Sequence, residues 1–441
     1  MKLQPYQDYK ESSVEWLGKV PAHWEVKRFK HAATLMTKKS DGDEQAVALE
    51  NIESWTGRYL STDSEFEGDG VHFERGDILF GKLRPYLAKV LLAEFNGAAV
   101  GDFHVFRPSS GVDSRFTRHL VLCEWFISLM DGSTFGAKMP RVSWEFMGNT
   151  IVPIPPLEEQ QAIADFLDRK TAQIDELIAK KEELLRKLDE KRSVLISRTV
   201  TRGLPADIAR EFGLEPHTRF KDSGIEWLGE VPEGWVVKKL KFVLPKLYSG
   251  VSVNSGNAPA DQDSFGVLKT SCVYGNRFLP EENKQVLDEE VERVSCPVTK
   301  DSLIISRMNT PDLVGNCGYV ELDYQNLFLP DRLWIARFEA SGVMSGKYAW
   351  YLISSDALVK LTGALATGTS GSMKNLSQES FLNISVAIPN VVEQIAIAEY
   401  LDRETAKIDH LKERVKQVIN RLREYRVASI AAAVSGKLQY S

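Results

Sequence analysis

The chain has 441 residues, 43% hydrophobic and 26% charged, a composition typical of a globular protein with roughly two to four domains. Its formal net charge of −6 argues mildly against nucleic-acid binding, although DNA responds to local basic patches rather than to net charge. The four cysteines are far apart, which argues against a zinc site or a disulfide framework, and the sequence has no signal core or membrane span. We therefore expect a cytoplasmic protein without a membrane partner.

An opening motif occurs twice. Residues 12–30 (SSVEWLGKVPAHWEVKRFK) and 223–241 (SGIEWLGEVPEGWVVKKLK) share the frame E-W-L-G-x-V-P-x-x-W at an offset of 211. A second block, EQQAIADFLDRKTAQIDEL at 159–177, matches EQIAIAEYLDRETAKIDHL at 393–411 in 13 of 19 positions, at an offset of 234. The chain is a tandem duplication. One economical explanation is that the similar ends meet the same partner twice, while the dissimilar bodies between them meet different targets.

The first body is predicted to be α+β. Short strands are expected at 46–49, 77–80, 98–100 and 104–106, followed by a helix at 115–130. Its loops place basic residues beside aromatic ones, and such side chains suit phosphate positioning and base-edge hydrogen bonding. Any one of them is more often a solvated surface group, but as a group we predict DNA contacts for Lys38, Lys39, Arg58, Lys82, Arg84, Tyr86, Lys138, Arg141 and Trp144.

Pro155 and Pro156 mark the end of the first body, because proline does not fit the interior of a regular strand or helix, and a long charged helix follows. Its apolar residues fit a heptad seam that three lysines (170, 181 and 191) interrupt, and the seam consists of Ile163, Leu167, Ile174, Leu177, Leu184, Leu188 and Leu195. The stretch 200–220 contains Gly and Pro and is predicted to be a linker.

The second body repeats the style of the first. Strands are expected at 302–306, 318–322 and 334–337, followed by a helix at 347–361. Two fragments align with body one, because GDIL (76–79) resembles KDSL (300–303) and FHVF (103–106) resembles LWIA (333–336). The comparable loop residues predicted to contact DNA are Lys246, Tyr248, Ser249, Arg277, Arg307, Asn309, Ser372, Lys374 and Asn375.

The second long helix follows the same heptad frame, interrupted by Glu404, with seam residues Ile397, Leu401, Ile408, Leu411, Val415, Val418, Leu422 and Tyr425. A solitary exposed helix or a stalk between two copies of the chain would give a similar pattern. We favour an intramolecular pair, because each helix has a similar partner on its own chain. An antiparallel pair would relate the two units by a pseudo-two-fold axis.

The sequence contains no convincing catalytic motif. The segment GDILFGK (76–82) matches the first part of a phosphate-binding loop, but Leu83 replaces the required Ser or Thr and unit two has no counterpart. The seven histidines are scattered, and no N-P-P-Y-like methyltransferase motif or glycine-rich cofactor loop occurs. A non-catalytic chain is favoured over a stand-alone nuclease or nucleotide hydrolase. A scaffold whose bodies bind proteins remains the alternative.

A variable body, then IVPIPPLEEQQAI (151–163), then a heptad helix, all repeated once, resembles the specificity subunits of type I restriction-modification enzymes. The E-W-L-G motifs and the segments GDIL (76–79) and GTS…KNLS (368–377) are similar to parts of their target-recognition domains. The resemblance covers nearly the whole chain. It departs at Val391-Val392, where the usual Pro-Leu is missing, and at MPRVS (139–143), which keeps the serine but not the Asn-Leu of KNLS.

The resemblance implies a target-recognition domain at 1–155, a spacer helix at 156–200, a linker at 201–220, a second target-recognition domain at 221–389 and a second spacer helix with a tail at 390–441. It implies a double-stranded DNA site in two unlike halves. Two modification subunits, which bind S-adenosylmethionine, would methylate adenine N6, and motor-nuclease subunits using ATP and Mg²⁺ would cut unmodified DNA. No cofactor is expected on this chain.

Overall fold

The computed structural model describes residues 5–40, 44–62, 70–136, 138–338, 342–370 and 373–437. The chain divides into two compact units, unit one with residues 1–183 and 415–441 and unit two with residues 184–414. Each unit contains one body and one end of each long helix. None of the helices in the described ranges is long and apolar enough to cross a membrane.

Body one is an α+β body, as predicted. Its strands are β1 (Tyr9–Glu11), β2 (Lys19–Pro21), β3 (Glu25–Arg28), β4 (Ala33–Met36), β5 (Ala46–Val47), β6 (Gly70–Phe73), β7 (Ile78–Gly81), β8 (Val90–Leu92), β9 (Gly97–Val100), β10 (Phe103–Pro108) and β11 (Ile151–Ile154). Its helices are α1 (Ser114–Val121), α2 (Glu124–Gly132) and α3 (Trp144–Asn149), and the long helix α4 (Leu157–Arg202) follows.

The predicted linker contains a short helix, α5 (Ala206–Glu211). The strands of body two are β12 (Phe220–Asp222), β13 (Glu230–Pro232), β14 (Val236–Lys239), β15 (Leu247–Ser249), β16 (Gly266–Leu268), β17 (Asn283–Gln285), β18 (Pro297–Val298), β19 (Ser302–Ser306), β20 (Met308–Asn309), β21 (Cys317–Val320), β22 (Tyr324–Phe328), β23 (Leu333–Arg337), β24 (Thr367–Ser370), β25 (Met373–Asn375) and β26 (Ser385–Ile388). Its helices are α6 (Gly346–Ile353), α7 (Asp356–Leu365) and α8 (Gln378–Leu382), and the long helix α9 (Val391–Val434) closes the chain.

The two bodies share one plan. An antiparallel sheet of order β4-β10-β7-β8 in body one corresponds to β15-β23-β19-β21 in body two, and a smaller sheet β5-β9-β6 corresponds to β16-β22-β18. Body two adds β17, for which the described residues of body one have no counterpart. The predicted helices 115–130 and 347–361 are each two helices, because Cys123 and Ser355 take extended backbone angles and begin a second helix.

The segment GDILFGK is a core strand rather than a phosphate-binding loop. Strand β7 is buried within its sheet, and Asp77, which is 1% exposed, accepts hydrogen bonds from Arg107 Nε at 2.7 Å and Nη2 at 2.9 Å. A phosphate-binding loop would instead lead into a helix N-terminus. The correspondence of FHVF with LWIA matches Phe106 with Ala336. Phe106 lies opposite Ile78 and Ala336 lies opposite Leu303, so Ile78 corresponds to Leu303. The sequence alignment of GDIL with KDSL is therefore shifted by one residue.

The two long helices pair antiparallel within each unit. In unit one, Arg426 Nε lies 2.9 Å from Asp175 Oδ1 and Arg423 Nη2 lies 3.0 Å from Glu182 Oε1. In unit two, Arg192 Nε lies 3.7 Å from Asp409 Oδ1, and Lys412 pairs with Asp189. Asp175 and Asp409, like Arg192 and Arg426, are separated by the repeat offset of 234. The prediction of intramolecular pairing is confirmed.

The predicted seam is right at eleven of its fifteen residues, which are buried or half-buried. Four of its residues are 40–52% exposed, namely Leu177, Leu411, Val418 and Tyr425. Along the paired part of the helices, buried and half-buried residues instead recur at alternating spacings of four and three residues. They are 174, 178, 181, 185, 188 and 192 in α4 and 408, 412, 415, 419, 422 and 426 in α9. Apolar residues occupy both phases of the heptad, so periodicity alone does not select the buried one. The buried phase includes Arg192 and Arg426, which the ion pairs with aspartates neutralise.

The repeated motifs contact one another inside each unit. Trp24 donates from Nε1 to Glu159 at 2.5 Å, and Trp235 donates equivalently to Glu393 at 3.2 Å. The next residue, Gln160, accepts from the Asp113 backbone N–H at 2.8 Å, as Gln394 accepts from Ser345 at 2.8 Å. The shared E-W-L-G and E-Q motifs therefore fasten each long helix to its body. This internal role accounts for part of the similarity that the sequence alone suggested was due to a common partner.

The two units differ where the first body helix meets the long helix. In unit one, His119 Nε2 lies 2.8 Å from Asp168, and burial lowers the pKa of His119 to about 4. In unit two, Tyr351 takes this place and donates to Asp402 at 2.7 Å. The equivalent contact thus involves an imidazole in one unit and a phenol in the other.

This difference predicts a pH dependence confined to unit one. His119 binds a proton near pH 6.5 in the unfolded chain, whereas burial delays protonation to about pH 4 in the folded chain. The contribution of neutral His119 to the stability of unit one is therefore complete above pH 6.5 and is lost as the pH falls toward 4. We expect α1 to lose about 2 kcal/mol of opening free energy between pH 7 and pH 5. Hydrogen exchange of α1 amides measures this, with α6 as the internal control. If the opening free energy of α1 still fell between pH 7 and pH 5 in His119→Gln, the assignment of this pH dependence to His119 would be wrong.

Candidate nucleic-acid interface

In body one, two of the predicted DNA-contacting loops are joined by backbone hydrogen bonds. Arg84 N donates to Pro140 O at 2.8 Å, and Val142 N donates to Lys82 O at 3.0 Å. Ser143 then caps α3 through its hydroxyl. The structure thereby brings together six predicted residues from separate parts of the sequence, namely Lys82, Arg84, Tyr86, Lys138, Arg141 and Trp144.

An acidic residue that the sequence analysis missed organises these cations. Asp102 accepts from Arg141 Nε at 2.9 Å and Nη2 at 2.8 Å, and Lys82 Nζ lies 3.7 Å away. The hydrogen bonds from Arg141 hold the pKa of Asp102 below its usual range. The carboxylate fixes the plane of the Arg141 guanidinium and reduces the local positive charge. Arg84 and Lys138 are exposed.

Trp144 is placed differently from its neighbours. The centre of its ring lies 6.0 Å from those of Phe29, Phe106 and His104, so the indole packs against the body. His104 in turn contacts Val142 O at 3.0 Å, and burial lowers the pKa of this imidazole. A DNA contact by Trp144 stays a prediction, and its packing gives the residue a structural role as well.

Three other predicted residues of body one lie outside this cluster. Lys38 accepts a backbone hydrogen bond from His72 at 2.9 Å, and Lys39 bridges to Val71, which places both lysines beside β6. Arg58 pairs with Glu53 at 2.9 Å, at the edge of a cavity of about 570 Å³ that α4 and α9 also line. Arg58 therefore lies on the helix side of the body.

Body two joins the corresponding loops in the same way. Leu376 N donates to Arg307 O at 2.8 Å, and β20 pairs with β25 so that Asn309 lies opposite Lys374 and Met308 opposite Asn375. Ser377 caps α8, as Ser143 caps α3. Arg307 therefore matches Lys82, and the serine predicted to be common to MPRVS and KNLS keeps the same role in both bodies.

The side chains presented in body two are different. Lys374 and Asn375 are half-buried, and the Arg307 guanidinium lies 5.8 Å from the Trp334 ring centre. Tyr248 is 42% exposed and lies between Lys246 and Arg337, whose charged groups are 5.3 and 5.5 Å from its ring centre. Lys246 and Tyr248 are exposed, so this part of body two presents a cationic and an aromatic side chain to solvent.

The remaining residues predicted in body two vary in their placement. Asn309 is 7% exposed and bonds with the Ser306 hydroxyl and the Thr310 backbone, so its amide supports the strand. Ser249 donates to the backbone carbonyls at Asp331 and Leu333, both at 3.1 Å. Arg277 pairs with Asp409 at 2.6 Å on the helix side of the body, and Ser372 lies outside the described residues.

Two further exposed residues lie at the predicted interface and were not singled out from the sequence. Met139 and Met373 are 49% and 43% exposed. Each directly precedes a residue that is joined to the loop of Lys82 or Arg307, namely Pro140 in body one and Lys374 in body two. Their separation of 234 residues equals the offset of the helix repeat, which is the signal that could have found them. Among the described residues, no group of His, Cys, Asp and Glu is arranged to hold a metal ion.

Comparison with known proteins agrees with this geometry. A family model described as the type I restriction modification DNA specificity domain matches residues 37–187 and 232–421, one stretch in each repeat. The chain belongs to this type I specificity family.

Curated relatives of this specificity protein span most of its length. It is 24% identical over 338 residues to the type I restriction enzyme EcoKI specificity subunit of Escherichia coli K12, covering 76% of this chain and 68% of the relative. It is 23% identical over 437 residues to the MjaVIII specificity subunit of Methanocaldococcus jannaschii, covering 95% of each. Family resemblance, inferred from the sequence motifs, is confirmed.

Solved structures share the fold of this specificity protein. A chain from a study of complex assembly and conformational transition of the type I R-M system has a TM-score of 0.70 at 18% identity, covering 94% of this chain and 98% of its own. The HsdS subunit from Thermoanaerobacter tengcongensis has a TM-score of 0.52 at 18% identity, covering 95% and 98%. At this identity the likeness concerns the fold alone.

Proposed function

We propose that this chain reads an asymmetric bipartite DNA site, one half with each body, and directs adenine N6 methylation and restriction by partner subunits. The observation that carries the proposal is that one scaffold presents different groups at equivalent positions. Body one presents Lys82 and Arg141, held by Asp102, where body two presents Arg307, Lys374 and Asn375. Equivalent placement with unlike chemistry suits two half-sites of unlike sequence.

The partners follow from the family. Two modification subunits would carry S-adenosylmethionine and the catalytic pocket, and motor-nuclease subunits would use ATP and Mg²⁺. Methylation of a base inside a duplex requires base flipping, which falls to the partner's pocket in this scheme. This chain would supply sequence recognition without catalysis, in the cytoplasm. In support, the curated relatives EcoKI and MjaVIII are named as specificity subunits.

The proposed function is tested by co-expressing the chain with its modification subunit and mapping methylated adenines genome-wide by single-molecule sequencing. A split motif with two unlike halves is expected. A stable complex that binds S-adenosylmethionine but adds no methylation would instead favour the protein-binding scaffold.

Alanine substitution of predicted contact residues should separate phosphate contacts from base contacts. We expect the assembled enzyme to bind its site more weakly when Arg84, Arg141, Arg307, Lys374 or Asn375 is replaced. A lost phosphate contact weakens binding to all sequences and reduces the salt slope by about one, whereas a lost base contact costs about 1–3 kcal/mol at one base pair. Affinity is measured on the mapped site at several salt concentrations.

Arg75→Ala is the matched control for these variants, because Arg75 is an exposed arginine of body one outside the joined loops. If all five replacements together left site-specific methylation at the level of this control, the assignment of the interface would be wrong.

A further inference from the structure

In each body, paired residues close the segment that holds the methionine, and this segment is two residues longer in body two. Phe135 and Arg141 exchange backbone hydrogen bonds of 3.3 and 3.2 Å in body one, and Thr367 pairs with Asn375 in body two. A glycine faces each methionine backbone, since a Cβ on Gly136 would lie 3.2 Å from the Met139 carbonyl oxygen and one on Gly368 would lie 2.4 Å from that of Met373. We call the two exposed side chains the tip methionines.

The residues around the tip methionines are not alike. Lys138, Pro140 and Arg141 flank Met139, whereas Lys374 and Asn375 follow Met373. The thioether is thus retained at a position where neighbouring side chains have diverged. Single exposed apolar residues are common on protein surfaces and need no explanation by themselves. Two of them at equivalent tips, each beside the cluster of cations of its own body, indicate a shared contact.

The surroundings define the chemistry of that contact. Exposed cations beside each tip attract a polyanion: Arg84 and Lys138 in body one, and the half-exposed Arg307 and Lys374 in body two. The tip itself offers no charge and only a weak acceptor, so its favourable contact is with an apolar surface. DNA combines both features, since phosphates surround stacked bases whose faces and methyl groups are apolar.

We propose that Met139 and Met373 are the apolar base contacts of the two bodies, each inserted against the stacked bases of its own half-site. The unbranched, polarizable side chain adapts to different neighbouring bases, which explains why one residue type serves two unlike sequences. The cations on either side hold the phosphates and set the depth of insertion. The inference rests on the proposed function and adds to it the residues that make this contact.

The experiment uses the assembled modification complex on its mapped site, with 2-aminopurine placed at successive positions of each half. The partner's base flipping unstacks the target adenine of each half-site and raises the fluorescence there. The wild-type complex should raise the fluorescence at one further position per half-site, because the inserted side chain unstacks that base. Met139→Ala should abolish the signal in its own half only and weaken binding about tenfold, with an unchanged salt slope because no phosphate contact is lost. Met373→Ala should have the same consequences in the other half-site. Replacement of either methionine by leucine should retain most of the fluorescence signal and of the affinity.

Matched controls are Leu60→Ala in body one and Leu287→Ala in body two, which remove leucines of similar exposure, 37% and 40%, away from the tips. If Met139→Ala and Met373→Ala gave the same affinity and the same fluorescence as these controls, the inference would be overturned. The proposed function would remain intact. Loss of the modification subunits from the complex on native mass spectrometry would also overturn it, since the tips would then bind protein. An unmodified complex that recognises no duplex would overturn both.

Discussion

Insertion of one heptad into both long helices is expected to move methylation from the original site to sites with a longer spacer. The insertions belong after Glu183 in α4 and after Arg414 in α9, where the chain passes between its two units. Seven residues lengthen a helix by about 10 Å and preserve the heptad phase. That length corresponds to about three base pairs of DNA. Methylation of the original site should fall at least about a hundredfold, as expected when one half-site contact set is lost.

Methylated adenines mapped in cells that co-express the modification subunit provide the measurement. A heptad in α4 alone is the informative control, because it disrupts the ion pairs that Arg192 and Arg426 make across the helices and should abolish methylation at every spacing. Activity that persists at the original spacing in the double insertion would show that the helices do not set the separation of the half-sites.

Arg107→Leu is expected to reduce the stability of unit one by about 3 kcal/mol, the cost of leaving a buried charge without its partner. Asp77 is 1% exposed and accepts two hydrogen bonds from the Arg107 guanidinium and one from the Glu74 backbone N–H. Removal of the arginine leaves this carboxylate beside the apolar strand β7. The opening free energy of β7 and β10 amides, measured by native-state hydrogen exchange, reports the loss in the unit concerned.

Two variants separate the ion pair from a general loss of positive charge. Arg75→Leu removes an exposed arginine close in sequence to Asp77 and should change the opening free energy by less than about 0.5 kcal/mol. Adding Asp77→Leu to Arg107→Leu should recover most of the stability, since the uncompensated charge is then gone. Equal stability of Arg107→Leu and Arg75→Leu would mean that water or the Glu74 backbone N–H, rather than Arg107, compensates the charge of Asp77.

Local patterns were sufficient to predict the architecture. The duplicated motifs, the α+β bodies, the two long helices and their pairing were all inferred correctly, because repeats and heptad periodicity lie within short stretches of chain. Strand β19 (Ser302–Ser306) was placed at its observed bounds, since a continuous apolar run between turns favours a buried strand. The helix breaks at Cys123 and Ser355 were missed because neither residue is a strong breaker.

Patterns that depend on distant partners were predicted less well. Leu177 and Leu411 have the spacing of seam residues, yet they are exposed because the opposite helix covers the other phase of the heptad. The pairing of GDIL with KDSL followed a shared aspartate, but strand register matches Asp77 with Ser302. Register is set by the neighbouring strand, which a local comparison of sequences does not contain.

For the candidate interface, the sequence by itself determined which residue types stand in the loops and that two versions of them exist. Only the tertiary structure decided which loops meet. Backbone hydrogen bonds join residues 82–84 to 140–142 and Arg307 to Leu376, whereas Arg58 and Arg277 lie on the helix side of their bodies. The role of Asp102 likewise became visible only in space, because its hydrogen bonds come from a residue that is far away in the chain. The repeat offset between Met139 and Met373 was already present in the sequence, and only their exposure required the structure.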